Sequence, residues 1–197
     1  IDEEVKYYSL VRTYQPIESC SVAVVMVDRY KRFSRRDAEI IRFVLDENKG
    51  LVIVINKWDL VEKDTNTAQH FKNEITHRFP ELEYYPFAYI SVLKRQRLFK
   101  PIQLAADVYE ERGKSVRTRD LNDYFQPIVD KTPPPRVKGK FLRIKYITQV
   151  KSGPPVFAFF ANEPKLFPEN YRKFLEHKLR EKWGFQGVPL TLSFRQK

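Results

Sequence analysis

Residues 51–56 read Leu-Val-Ile-Val-Ile-Asn, apolar at every position until Asn56, after which Lys57 and Asp59 follow at once. A short run without alternation, rich in β-branched residues, predicts a strand buried on both faces. Residues 21–28, SVAVVMVD, predict a second buried strand. Between the two, Ser34 can cap a helix and Asp37 three residues later completes a capping-box pattern. Ile40, Ile41, Val44 and Leu45 form that helix's apolar stripe, and Gly50 is expected to stop it. Strand, helix and strand in this order make a crossover unit, which sets the strands parallel. The pattern then repeats, with a helix over 66–79, a strand over 86–91 and a helix over 97–113. Upstream, Val5, Tyr8, Val11 and Tyr14 recur at three-residue steps and predict a helix over 3–18 that Pro16 ends or kinks. The first half is thus an α/β sheet with covering helices.

Beyond residue 113 the pattern changes. RGKSVRTRD is a polar, basic connector, and a helix follows over 119–131. TPPPRVKGK then excludes both helix and central strand. FLRIKYITQV (141–150) and PVFAFFAN (155–162), joined by KSGPP, predict an antiparallel hairpin. A helix over 168–183, with Pro168 suited to its first turn, and a last strand over 188–194 complete the order α-β-β-α-β. That order makes a small α+β module. The expected division is therefore 1–113 and 114–197.

Charge sharpens the division. Residues 1–112 carry 18 Lys+Arg and 18 Asp+Glu, whereas residues 113–197 carry 18 and 7. The whole net charge of +11 therefore lies in the second module, which predicts a polyanionic partner there. A single cysteine, Cys20, excludes a disulfide framework and fits a reducing compartment. No apolar run approaches the roughly 20 residues of a membrane helix, and nothing at the N-terminus resembles a signal peptide. The chain is expected to be cytoplasmic, with no membrane partner. His70, His77 and His177 lack metal-ligand spacing, so no metal site is expected among these residues.

The candidate chemistry lies at the strand end. In open α/β sheets ligands bind beyond the carboxyl ends of the strands. The Asp59 carboxylate offers two adjacent acceptors, which suit the N1–H and N2–H₂ donors of guanine. Adenine presents a lone pair at N1 and no amino group at C2. Charge-assisted hydrogen bonds are each worth about 1.5–3 kcal/mol, so losing two discriminates strongly. Lys57 can lay its methylene stem along the base while its ammonium stays solvated. Asn56 can bridge loop and base edge. Ser91, Val92 and Leu93 follow the next strand, where their backbone N–H groups can reach the guanine O6.

This constellation resembles the P-loop GTPases, in which Asn-Lys-x-Asp and a later Ser-Ala-x turn hold guanine. VVMVD, RDAEII, VIVINKWDLVEKD, YISVLKRQR, VYEER and the tail from PPPRVKGK onward are more specifically similar to the second GTPase domain and KH-like C-terminal domain of the Der (EngA) family. That family comprises tandem GTPases of large-ribosomal-subunit assembly. The resemblance is collinear over essentially all residues. It implies GTP or GDP as ligand, Mg²⁺ with ligands in a segment upstream, GTP hydrolysis by a parent protein, and partners in the large ribosomal subunit, its rRNA and the protein's own upstream GTPase domain. The sequence departs from the family by holding no Gly-x-x-x-x-Gly-Lys-Ser/Thr and no Asp-x-x-Gly. It therefore carries the base-reading half of a nucleotide site without the phosphate-reading half. The chain is expected to be part of a longer protein and inactive alone, with no catalytic residue of its own. Val92 stands where the family's turn has alanine.

In the basic module, Lys138, Lys140, Arg143 and Lys145 are expected at alternating positions of a strand start, several on one face. Arg172, Lys173, Lys178, Arg180 and Lys182 crowd the helix over 168–183. These nine cations are the candidate RNA contacts, supplying affinity through phosphates with little sequence specificity. Gly184-Phe-Gln-Gly187 matches the Gly-x-x-Gly of RNA-clamping KH domains, but its place after a helix suits a helix stop and tight turn instead. Phe157, Phe159, Phe160 and Tyr171 are expected in the core. Two functions stay open: an assembly GTPase, or an RNA-binding scaffold with a degenerate GTPase domain.

Overall fold

The computed structural model describes residues 14–29, 33–61 and 66–196. The helix expected over 3–18 falls mostly outside them; residues 14–19 are helical. The chain divides into two compact units, one of residues 1–111 with 186–189, the other of 112–185 with 190–197.

In the first unit, β1 (Val22–Asp28), β2 (Gly50–Asn56) and β3 (Phe87–Tyr89) form a parallel sheet in the order β1-β2-β3. The continuous apolar run of β2 is explained by its central place. Leu51, Ile53 and Ile55 face a core with α1 (Arg35–Asp46) and α2 (Thr67–Arg78), while Val52 and Val54 face a smaller cluster with Val108 of α3 (Lys100–Gly113). Helices thus cover both faces of the strand. β1 departs from expectation: Val24 and Met26 are about half exposed, on the face opposite the buried Ala23 and Val27.

The capping box forms, with the Ser34 N–H donating to Asp37 Oδ2 at 2.8 Å and the Asp37 N–H to Ser34 Oγ at 3.2 Å. Gly50, however, does not stop α1. The helix ends at Asp46, Asn48 takes the left-handed conformation (φ 53°), and Gly50 opens β2. Glycine is needed there for space, since a Cβ would meet Val108 Cγ1 at 2.6 Å and Val22 Cγ2 at 3.0 Å.

In the second unit, β4 (Ile144–Lys151) and β5 (Val156–Ala161) make the expected antiparallel hairpin, and β6 (Thr191–Gln196) pairs parallel to β5. α4 (Thr118–Lys131) and α5 (Glu169–Trp183) cover one face. Their Leu121, Phe125, Tyr171, Leu175 and Leu179 pack with Ile147, Phe157 and Phe159 of the sheet. Phe160 instead points away from that core, beside Tyr146 at 5.8 Å between ring centroids. Gly184 ends α5 at φ 86°, so that glycine is a helix stop.

Candidate functional site

The parallel register places Asp28 beside Asn56, the last residues of β1 and β2. Lys57 then takes the left-handed conformation (φ 62°, ψ 35°), and a 3₁₀ turn over Trp58–Leu60 follows. Left-handed backbone is uncommon for lysine and persists where neighbours over-determine it. Here they do. The Trp58 N–H donates to Ile90 O at 3.0 Å, tying the turn to the end of β3. The Trp58 ring is buried, 4.5 Å from Tyr89 and 6.1 Å from Phe71 between centroids. Tyr89 is fixed in turn, its hydroxyl donating to Ala68 O at 2.8 Å, and burial pushes its pKa up to about 12.

The second loop closes on the first. The Val92 N–H donates to Asn56 Oδ1 at 3.1 Å, so the asparagine bridges the two loops within the protein. Ser91 is fully buried and exchanges both backbone hydrogen bonds with Gln96, at 3.2 and 2.9 Å, while its hydroxyl accepts from the Lys94 N–H at 3.1 Å. Together Asn56, Lys57, Asp59, Leu60, Ser91, Val92 and Leu93 line a cleft of about 400 Å³ at the carboxyl ends of β2 and β3. All six residues expected to read a base are therefore brought together. Leu60, exposed at 63%, adds an apolar wall that the sequence motif does not specify.

Two expectations need correction. The Lys57 ammonium, though partly solvated, is not free, because it pairs with Asp28 Oδ2 at 2.7 Å. Nor are all three amides of the Ser91–Leu93 turn open to a ligand. Those of Ser91 and Val92 are engaged by Gln96 and Asn56, and among the described residues only the Leu93 N–H of the three lacks a protein acceptor. A tight turn spends its first amides on its own closure.

The cleft is mixed in chemical character. It combines one carboxylate, a lysine stem, an exposed amide and the apolar side chains of Leu60, Val92 and Leu93, the mixture typical of small-molecule sites. Among the described residues no group of three or more His, Cys, Asp or Glu is placed to hold a metal ion. No helix among them is long and apolar enough to cross a membrane.

The nine candidate RNA contacts separate by environment. The strand begins at Ile144, so Lys138 and Lys140 lie instead in a tight turn closed by the Val137–Lys140 bridge. Lys138 has φ 50°, and Lys140 pairs with Glu163 at 2.7 Å. Arg143 and Lys145 are exposed. On α5, Lys173 and Lys182 are exposed, while Lys178 pairs with Glu181 at 2.6 Å. Arg172 and Arg180 are spent on the fold. Arg172 donates to Phe167 O at 3.1 Å and lies 4.3 Å from the Phe194 ring. Arg180 is buried, paired with Glu176 at 2.9 Å and donating to Phe185 O at 2.8 Å. The Arg180 guanidinium is thus enclosed by protein, and that of Arg172 is partly engaged.

Residues 115–195 match the family described as the KH-domain-like, C-terminal domain of EngA bacterial GTPase enzymes. The match takes in most of the basic module. All 197 residues are 42% identical to GTPase Der of Cytophaga hutchinsonii, 40% to that of Christiangramia forsetii and 39%, over 198 aligned positions, to that of Porphyromonas gingivalis. The chain spans 45% of the length of each of these Der proteins. The resemblance expected from the motifs therefore holds along the whole chain, and the α/β plus KH-like architecture agrees with it. A solved structure of Era from Aquifex aeolicus bound to GDP and aluminium fluoride is 19% identical with a TM-score of 0.42, covering 93% of this chain and 67% of that one.

Proposed function

We propose that residues 1–113 are the C-terminal part of a GTPase domain, that 114–197 are a KH-like RNA-binding domain, and that the parent protein is a GTPase acting in assembly of the large ribosomal subunit. The observation that carries this reading is the cleft in which Asp59 and Lys57 on one loop meet Val92 and Leu93 on the next. Asp59 would accept from N1–H and N2–H₂ of guanine, and the Leu93 amide would donate to O6. The Lys57 stem would cover one base face. Bound GTP would supply the γ-phosphate for hydrolysis, with Mg²⁺ held by residues upstream of this chain. Within this chain, the Asn56–Val92 bond holds the two base-reading loops in register. The naming of its relatives as GTPase Der supports the same reading. The excess of positive charge in residues 113–197 supports rRNA as the partner of the second module, and a cytoplasmic location follows from that role.

The test is binding of fluorescent GDP to the protein extended upstream through the missing half, with Asp59→Asn alongside. Tight binding that falls at least tenfold in the variant, with affinity gained for the xanthine nucleotide, is expected. No GDP binding by the extended protein, with rRNA affinity intact, leaves the RNA-binding scaffold.

A further inference from the structure

The ion pair between Lys57 and Asp28 has no part in the base contacts derived above, yet it bears on how the cleft is built. The residues at the carboxyl end of β2 are anchored differently. Asn56 is held by the Val92 amide, and the Trp58 turn is held by Ile90 and by burial of its ring. Lys57 has neither kind of anchor, and lysine carries one of the most mobile side chains. Its left-handed backbone turns the stem toward the end of β1, where the ammonium meets Asp28 Oδ2 at 2.7 Å. The register that makes Asp28 the neighbour of Asn56 brings this carboxylate within reach.

The lysine side chain is 47% exposed and that of the aspartate 25%. A pair so open to solvent adds little to folding. Its effect is on placement: with the far end of Lys57 fixed over β1, the methylenes between must run along the cleft that Lys57 lines. We propose that Asp28 is a positioning residue of the base cleft, holding the Lys57 ammonium so that the lysine stem is ordered as a wall before any nucleotide arrives. This rests on the guanine reading above. Asp28 itself touches no base atom. It reduces the disorder that binding would otherwise have to remove.

The test is calorimetric titration of GDP into the full-length parent protein, with the binding at this site defined as the component that Asp59→Asn removes. Asp28→Asn is expected to weaken that component about two- to fivefold, the span of an exposed ion pair at a factor of ten per 1.4 kcal/mol. The preference for guanine over xanthine should stay with Asp59 and not change. Lys57→Met keeps the apolar stem and removes the charge, so in that background Asp28→Asn should cost nothing further. An Asp28→Asn effect of equal size in the Lys57→Met background, or none in the wild type, overturns the positioning role and leaves the guanine site standing. If Asp59→Asn removes no component at all, the guanine reading falls and takes this proposal with it.

Discussion

A single guanidinium shows how far a charge count can mislead. In sequence, Arg180 is one of five cations on a basic helix, indistinguishable from Lys173 or Lys182. In the structure it is 6% exposed, its three nitrogens shared between Glu176 and the carbonyl of Phe185. That carbonyl lies just past the Gly184 stop, and a side chain five residues earlier satisfies it. Arg180→Ala leaves the Phe185 carbonyl and the Glu176 carboxylate without this partner. Because Glu176 is 31% exposed and can be rehydrated, the expected loss is about 2–3 kcal/mol, below that of a fully buried pair. A urea titration of the variant checks this; an unchanged midpoint would refute it. The place of Asp59, by contrast, is legible from spacing alone, since it lies just past the end of a strand that the apolar run locates. The partners of Lys57 and Arg180 are not, because they follow from backbone conformation and register. Neither leaves a mark in composition.

At the scale of elements, the strands and helices followed from period and punctuation, and the misplacements came from tertiary space. Gly50 reads as a helix stop because glycine commonly is one, but the crowding of Val108 and Val22 is what requires it. Gly50→Ala should cost about 1–3 kcal/mol through overpacking, with α1 unaffected in its circular dichroism amplitude. The edge of β4 is a second case. Asn122 on α4 donates to Ile147 O at 2.8 Å and accepts from the Ile147 N–H at 3.0 Å, occupying backbone groups that an edge strand leaves open. Asn122→Leu keeps the volume and strands both groups, so about 1–3 kcal/mol of stability should go. Dynamic light scattering should show self-association of the variant at concentrations where the parent chain is monodisperse. No periodicity in NDYF announces this contact. An asparagine inside a helix lowers helix propensity and reads as a surface residue, until a strand edge is found beside it.

At the scale of the molecule, the charge step between the halves survives the loss of Arg172 and Arg180, and the remaining cations allow a quantitative test of the proposed RNA partner. Lys138, Arg143, Lys145, Lys173 and Lys182 are exposed, and they stand outside the ion pairs that hold Lys140 and Lys178. Each phosphate that such a cation neutralises releases condensed counterions, so the logarithm of affinity falls with the logarithm of salt, by about 0.7 per contact on a single strand. Lys173→Ala and Lys182→Ala should each weaken binding to an unstructured rRNA fragment across sequences alike and flatten that salt slope by up to about 0.7. Lys178→Ala should do less, because Glu181 already holds its ammonium and raises its pKa through their hydrogen bond. Arg180→Ala, compared at a temperature where it stays folded, should leave the slope alone. Filter binding from low to high salt separates these outcomes. Equal slopes in all four variants would mean that the positive charge of this module meets something other than a nucleic-acid backbone.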